Sequence, residues 1–318
     1  MILSVSRRTD IPAFYSEWFM NRINAGYVYV RNPFNYNQIS NIDINPDKVD
    51  CIVFWTKNPK PLLPRLKELD DRGYKYYFHY TITPYDKEVE TDVIDKRSII
   101  NTFIELSEKI GKDKVILRYD PIIVTDKYSV DFHLKAFEKM CLIIHEYTNK
   151  IVFSFLDDYR KVSMNMKNIG VKELTEKEMK NISLKLVEIT NQYGIALETC
   201  AEKIDLQDIG ISHTKCIDGD LIEKIIGYEI KNKDHLDGNR KDCGCMKCID
   251  IGVYNTCIHN CIYCYANTNK NKAASNFKMH DPNSPILSGN FIKEKVKERK
   301  DVKSYKIKAN EQLSLFNK

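Results

Sequence analysis

No apolar run in this 318-residue chain approaches the ~20 residues that a membrane-spanning helix requires. The opening Met1–Arg8 segment carries too short an apolar stretch for a secretory signal, so the expectation is a cytoplasmic protein. There is no internal repeat and no long low-complexity tract, which excludes a repeat array. Charge imbalance is also absent from most of the chain. Between Lys293 and Lys308, eight Lys/Arg face three acidic residues, and this excess accounts for the whole net charge of +5. A basic segment of this kind is a solvated face in the plainest reading, and a track for a phosphate backbone in the sharper one. With 43% hydrophobic and 29% charged residues, the chain has the composition of a globular protein with a sizeable core.

Strand-like and helix-like runs alternate from the first residue. Ile2–Ser6, Val49–Trp55, Tyr74–Thr81, Val115–Tyr119, Ile151–Phe155 and Ile195–Thr199 are short and apolar on both faces, as parallel strands covered by helices require. Tyr27–Arg31 alternates and suits an edge or half-buried strand. Amphipathic stretches fall at Pro12–Ala25, Pro61–Arg72, Lys96–Ile110, Val130–Tyr147 and Glu176–Tyr193. Thr175 with Glu178 reads as a capping box, and Gly73, Gly111 and Gly194 follow helical runs as C-cap glycines do. Repeated β–α units predict an α/β fold with a parallel sheet. Polar residues at the ends of nearly every strand favour a partial or complete (β/α) barrel. The expected organisation is a barrel body over residues 1–202, a cysteine-rich segment over 203–267 that completes it, and an extended basic tail over 268–318.

Ten cysteines in a reducing compartment argue for metal or redox chemistry rather than disulfides. Cys257, Cys261 and Cys264 are spaced C-x3-C-x2-C, with Tyr263 before the last thiol. Three close thiolates can ligate three irons of a [4Fe–4S] cluster and leave the fourth open. The plain alternative is a zinc site or an electron-transfer cluster, although zinc wants a fourth protein ligand and His259 is awkwardly placed for one. Cys243, Cys245, Cys200 and Cys216 are the preferred set for a second [4Fe–4S] cluster or a zinc ion, with Cys248 beside them in C-x-C-x2-C spacing. Cys51 and Cys141 sit in apolar contexts and read as packing residues.

The C-x3-C-x2-C run with its aromatic resembles the signature of the radical S-adenosylmethionine (SAM) enzymes. Ser6–Pro12, Phe54–Pro59 and Asp250–Cys257 resemble a bacterial family of unknown function, noted for a C-terminal cysteine cluster similar to the N-terminal one of radical SAM proteins. The resemblance spans essentially the whole chain. It implies a radical-SAM-type barrel with shifted termini, in which Ile249–Tyr254 lies beside Ile2–Ser6. It also implies SAM on the open iron, and an electron donor such as flavodoxin or ferredoxin. The usual glycine-rich segment that holds the methionine moiety is replaced by Arg7-Arg8-Thr9-Asp10. Asp10 is then the candidate for the SAM amine and Arg7 or Arg8 for its carboxylate, against a structural ion pair as the bland reading.

Strand ends supply the pocket candidates. Trp55–Asn58, His79 and Tyr80, Arg118–Asp120, Ser154 and Asp157, and Glu198 and Glu202 follow successive strands. Lys57, Arg118 and Asp120 are the first choices for contacts with substrate or SAM. Gln312–Phe316 resembles the peptide by which bacterial repair proteins bind the DNA sliding clamp; its plain alternative is a terminus folded back on the body. With the basic segment it points to DNA as the leading substrate, in a reaction resembling that of spore photoproduct lyase, ahead of a small molecule or peptide. A noncatalytic iron–sulfur or zinc protein is the reading from a different class.

Overall fold

The computed structural model describes residues 1–156, 165–200, 202–233 and 244–307. The strands in chain order are β1 (Ile2–Val5), β2 (Tyr27–Asn32), β3 (Asn35–Asp43), β4 (Cys51–Thr56), β5 (Tyr76–Thr81) and β6 (Val115–Ile122). They continue as β7 (Lys150–Phe155), β8 (Ala196–Thr199), β9 (Ser212–His213), β10 (Ile249–Asp250) and β11 (Val296–Glu298). Eight of them form one parallel sheet in the order β10-β1-β4-β5-β6-β7-β8-β9. The fold is therefore α/β with a large parallel sheet. A smaller sheet, β11-β3-β2, carries the hairpin that follows the second helix.

The period-two alternation of the strands divides their side chains between two cores. Leu3, Val5, Ile52, Phe54, Phe78, Leu117 and Phe153 face the amphipathic helices. Those helices are α1 (Ile11–Phe14), α2 (Ser16–Ala25), α3 (Leu66–Asp71), α4 (Lys96–Ile110), α5 (Val130–Ile144) and α6 (Glu176–Gln192). Ile2, Cys51, Val53, Tyr77, Ile116 and Val152 face the other way, onto α7 (Gly219–Ile226) and the cysteine-bearing segment. Strands that are apolar on both faces are thus covered on both.

Several local expectations hold. Thr175 and Glu178 make a reciprocal capping box at α6, and Gly73, Gly111 and Gly194 have positive φ. Others need correction. The helix read over Pro12–Ala25 is two helices, because Asp10 caps a first turn that ends at Tyr15, whose φ of −134° leaves the helical region. The stretch from Pro61 enters as a 3-10 turn, Leu63–Arg65, with Pro64 in its first turn. The strand expected over Ile249–Tyr254 is only two residues long. It does lie beside β1, with Leu3 opposite Ile249 and Ser4 opposite Asp250.

Asp250 and Gly252 explain why this short pairing is firm. The Asp250 carboxylate accepts from Ser4 Oγ, Ser6 Oγ, Arg7 N and Gly252 N. A Cβ on Gly252 would stand 2.0 Å from Ser6 Oγ, so the chain passes β1 too closely for any side chain.

Beyond the cysteine loop the chain is more structured than an extended tail. It forms α8 (Lys270–Lys278), capped by the Asn269 side chain. It then runs past α2 and pairs β11 with β3. Ser304 Oγ and Tyr305 N donate to Asp50, just before β4. Among the described residues no helix is long and apolar enough to cross a membrane.

Candidate functional site

Cys257, Cys261 and Cys264 occupy the loop that leaves β10, at the C-terminal ends of the strands. Backbone contacts fix this loop against the segment after β5. Glu90 and Cys261 form an antiparallel bridge. Ile262 N donates to Val89 O at 3.0 Å, and Asp92 N donates to His259 O at 3.1 Å. Ile262 and Tyr263 pack on Tyr85, Val89 and Ile123 in a small cluster that covers this end of the sheet.

Electrostatics tie the three thiols together. Burial pushes Cys257 up, and Asp10, Cys264 and Cys261 add to the rise. Burial raises Cys261 too, while Lys57 pulls it down. Cys264 is also raised by burial, against backbone N–H groups of Ala266 and Asn267 and the charge of Lys57. Lys57 is therefore the cation nearest in effect to two of the thiols.

Lys57 Nζ donates to Glu90 Oε1 at 2.7 Å and to Thr83 Oγ1 at 3.2 Å, and lies 5.7 Å from the Tyr263 ring centroid. Glu90 is 1% exposed and also pairs with Lys96 and accepts from Tyr263 OH. Burial alone would raise the Glu90 carboxyl; Lys57 and Lys96 outweigh it and hold it at about 2. Burial opposes the charge on Lys57, but Glu90 and Cys261 keep its ammonium above the ordinary value.

Asp10 organises the same corner. Its Oδ1 accepts from Ala13 N at 3.0 Å, while its Oδ2 accepts from Lys57 N at 2.7 Å and meets His259 Nε2 at 2.8 Å. Both carboxylate oxygens are thus engaged inside the chain. The ring of Phe14 packs on His259 at 4.5 Å. With Nε2 turned to Asp10, His259 Nδ1 is buried and finds no hydrogen-bond partner among the described residues.

The other expected residues divide between this corner and the face opposite the helices. Arg118 holds Asp120 through Nε and Nη2, and its Nη1 donates to Cys216 Sγ at 3.0 Å. Asp120 acts electrostatically on Lys57, so Lys57, Asp120 and Arg118 form one charged chain. Arg7 Nη2 donates to Cys248 Sγ at 3.2 Å, and its guanidinium lies 5.9 Å from the Trp55 ring centroid. Arg8 turns outward over Tyr254, with a 3.4 Å contact to Gly252 O.

His79 stacks on Trp55 and bonds Cys216 O at 2.7 Å. Burial, with the nearby Arg118, pushes it well below the ordinary histidine range. Tyr80 is a correction: its OH donates to Ile99 O in the helix layer, because it alternates with His79 along β5. Glu202 accepts from Phe155 N, and Glu198 pairs with Lys150. Asp157, Cys243 and Gln312–Phe316 lie outside the described residues.

Glu90 is the residue that sequence reasoning missed. It sits nine residues past β5 in a polar segment, and only its bridge to Cys261 shows which side chain meets Lys57. Cys51 and Cys141 are buried in the two apolar cores, as packing residues. A cavity of about 510 Å³, lined by Lys112, Lys114, Asn149, Lys150 and Asp218 among others, lies at the N-terminal ends of β6 and β7, far from the thiol loop.

The donor set can be tested against the cofactor that the spacing implies. Three thiols on one loop act on one another. Among the described residues, no three His, Cys, Asp or Glu groups are arranged to hold a metal ion. Thiolates of an iron–sulfur cube bind separate irons and need not converge on one point. The three thiols are a donor set that a cluster could use, and His259 Nδ1 beside them is a buried nitrogen without a partner among the described residues.

No curated protein matches the chain. Among solved structures, a Bacteroides thetaiotaomicron protein named "putative alpha-L-fucosidase" aligns at 12% identity over 74% of this chain and 85% of its own, with a TM-score of 0.25, and carries no argument. The model of the family described as "Domain of unknown function (DUF1848)" matches residues 2–266, the β1-to-thiol-loop unit described above, and the chain belongs to that family.

Proposed function

We propose that this protein is a radical SAM enzyme in which Cys257, Cys261 and Cys264 hold a [4Fe–4S] cluster and its open iron takes SAM. A reduced cluster of this kind supplies the electron that cleaves SAM and starts radical chemistry. The sheet is read as a radical-SAM-type barrel with shifted termini, in which β10 takes the place of the superfamily's first strand. The observation that carries the proposal is the meeting of the thiol loop with Lys57 at the C-terminal ends of the parallel strands, next to β1.

The chain's own residues then have defined tasks. Lys57 places a positive charge beside Cys261 and Cys264, which lowers the cost of making them thiolates in a buried site. Glu90 holds Lys57 in place, and Tyr263 seals the corner through its bond to Glu90. Asp10 joins the start of α1, the end of β4 and the loop residue His259 into one support. With both oxygens so engaged, Asp10 acts as a positioning residue. Binding of SAM is left to groups at the rim, with Arg8, which lies over the Tyr254 ring, the candidate for its carboxylate.

DNA is the proposed substrate class, on the strength of the basic Lys293–Lys308 segment, and the sliding clamp is the proposed partner of Gln312–Phe316. The described part of the basic segment reaches Asp50, at the strand ends opposite the thiol loop. A nucleic acid touching both would have to span the sheet.

The deciding experiment is anaerobic reconstitution with iron and sulfide, followed by dithionite and SAM. Release of 5′-deoxyadenosine, abolished in Cys261→Ala, is expected. Metal retention without any release would leave a noncatalytic iron–sulfur or zinc protein. DNA binding that weakens with salt and is lost on deletion of residues 293–318 is the expected second result; no binding by either form would remove DNA as the substrate.

A further inference from the structure

We propose a second thiolate-bound metal centre, held by Cys200, Cys216, Cys245 and Cys248 on the face of the sheet opposite the helices. The inference rests on contacts among Cys200, Cys216 and Cys245 and on arginines that donate to Cys216 and Cys248, and is independent of the SAM reading. It keeps Cys200, Cys216 and Cys245 of the set expected from spacing and adds Cys248, the thiol that accepts from Arg7; Cys243 lies outside the described residues.

Four cysteines from three chain segments line one apolar core. Cys200 follows β8, Cys216 follows β9, and Cys245 and Cys248 precede β10. All four belong to, or pack against, the core of Ile2, Val53, Tyr77 and Val152. Cys200 Sγ lies 3.3 Å from Cys216 Sγ, and Cys216 hydrogen-bonds Cys245. Backbone pairing holds the segments in place, with Thr214 N donating to Thr199 O and Met246 N to Ile217 O.

The second observation is the cations. Arg118 Nη1 donates to Cys216 Sγ at 3.0 Å, and Arg7 Nη2 donates to Cys248 Sγ at 3.2 Å. Arg118 is 6% exposed. A neutral thiol is a weak acceptor, so two guanidinium groups aimed at two sulfurs are poorly explained by thiol packing. They are suited to sulfur that carries negative charge, as metal-bound thiolate does, and such hydrogen bonds tune thiolate metal centres. Packing is the fate of Cys51 and Cys141: the Cys51 thiol hydrogen-bonds Ile52 O, and among the described residues neither thiol accepts from an arginine.

The placement also links the two thiol groups. Cys261, Lys57, Asp120, Arg118 and Cys216 form a continuous electrostatic chain, each acting on the next.

Among the described residues no three of these groups are arranged around a single ion, so the centre is proposed as an iron–sulfur cluster, whose thiolates bind separate irons, and metal counting tests it. The test uses the full chain with Cys257, Cys261 and Cys264 all changed to Ala, so that only the second group can bind. It is loaded anaerobically with iron, sulfide and zinc, and free metal is removed. About one zinc per chain and no sulfide overturns the centre as a cluster; about four irons with matching sulfide per chain support it. Adding Cys216→Ser and Cys245→Ser is expected to remove that metal. Should this variant fail to fold by circular dichroism, the half-buried pair Cys200→Ser and Cys248→Ser makes the same comparison. The proposal is overturned if the triple variant holds no metal. It is equally overturned if the metal survives serine substitution in a folded protein, or if Cys200 and Cys216 are recovered as a disulfide after anaerobic loading. None of these readouts depends on SAM cleavage.

Discussion

Glu90 shows how one residue can decide a site. It is a buried carboxylate between Lys57 and Lys96, with Tyr263 on the same oxygen as Lys57. Removing one partner of a buried ion pair leaves an uncompensated charge. Glu90→Ala is expected to lower unfolding stability by about 3 kcal/mol, at the lower end for buried pairs because Lys96 is partly exposed. Urea unfolding at constant slope measures it; a loss below about 1 kcal/mol would mean that water already compensates both lysines.

His133 carries a pH dependence. Tyr119 OH lies 3.1 Å from its Nδ1 and Ile123 O lies 3.0 Å from its Nε2. Burial lowers its pKa, so the native state keeps the ring neutral. Below about pH 6.5 the unfolded chain takes up a proton that the native state resists. Stability is therefore full above that value and falls as pH drops through it toward the lowered native pKa. The slope of stability against pH between about 7 and 5 should be shallower in His133→Phe than in the unmodified protein. An equal slope in both would show that His133 titrates alike in the two states.

At the scale of elements, β10 matters beyond its two residues. It positions the thiol loop, and it depends on Asp250 and on the bare backbone of Gly252. Gly252→Ala would drive a methyl group into Ser6, which is already bonded to Asp250. The expected cost is about 1–3 kcal/mol, as for other overpacked sites, and Ser6→Gly in the same chain should recover part of it. No recovery would place the strain elsewhere, on Thr9. The same scale shows what a linear pattern conveys. Apolar period and cap residues marked α4, α5 and α6 closely, because both signals are local. The break at Tyr15 was hidden, since it reflects the tertiary bond from Tyr15 OH to Thr256 O and the N-cap role of Asp10. β10 was overdrawn because its apolar residues continue into the loop, where Asp250 and Gly252 turn the chain back to β1.

For the whole molecule, the segment after the thiol loop is a strap. It crosses from the thiol loop to Asp50, where Tyr228 OH joins Ser304 and Tyr305 on one buried carboxylate. Deletion of residues 302–318 removes two of these donors and uncovers apolar surface against which Tyr305 packs. A loss of about 2–4 kcal/mol is expected from the bonds and burial together, read as a lower melting temperature. An unchanged melting temperature would make the strap a passive tail.

The sequence by itself determined the α/β class, the order of strands and helices from β4 to β8, and the thiol spacing, since periodicity, caps and ligand spacing act over a few residues. The family resemblance, rather than periodicity, pointed to the thiol-bearing segment lying beside β1, and the sheet pairs β10 with β1. Only the tertiary structure decided which charged residues meet. Glu90 under Lys57, Asp10 on His259, and the guanidinium groups on Cys216 and Cys248 join residues far apart in the chain. Burial then sets the strength of each pair, and burial belongs to the folded molecule as a whole.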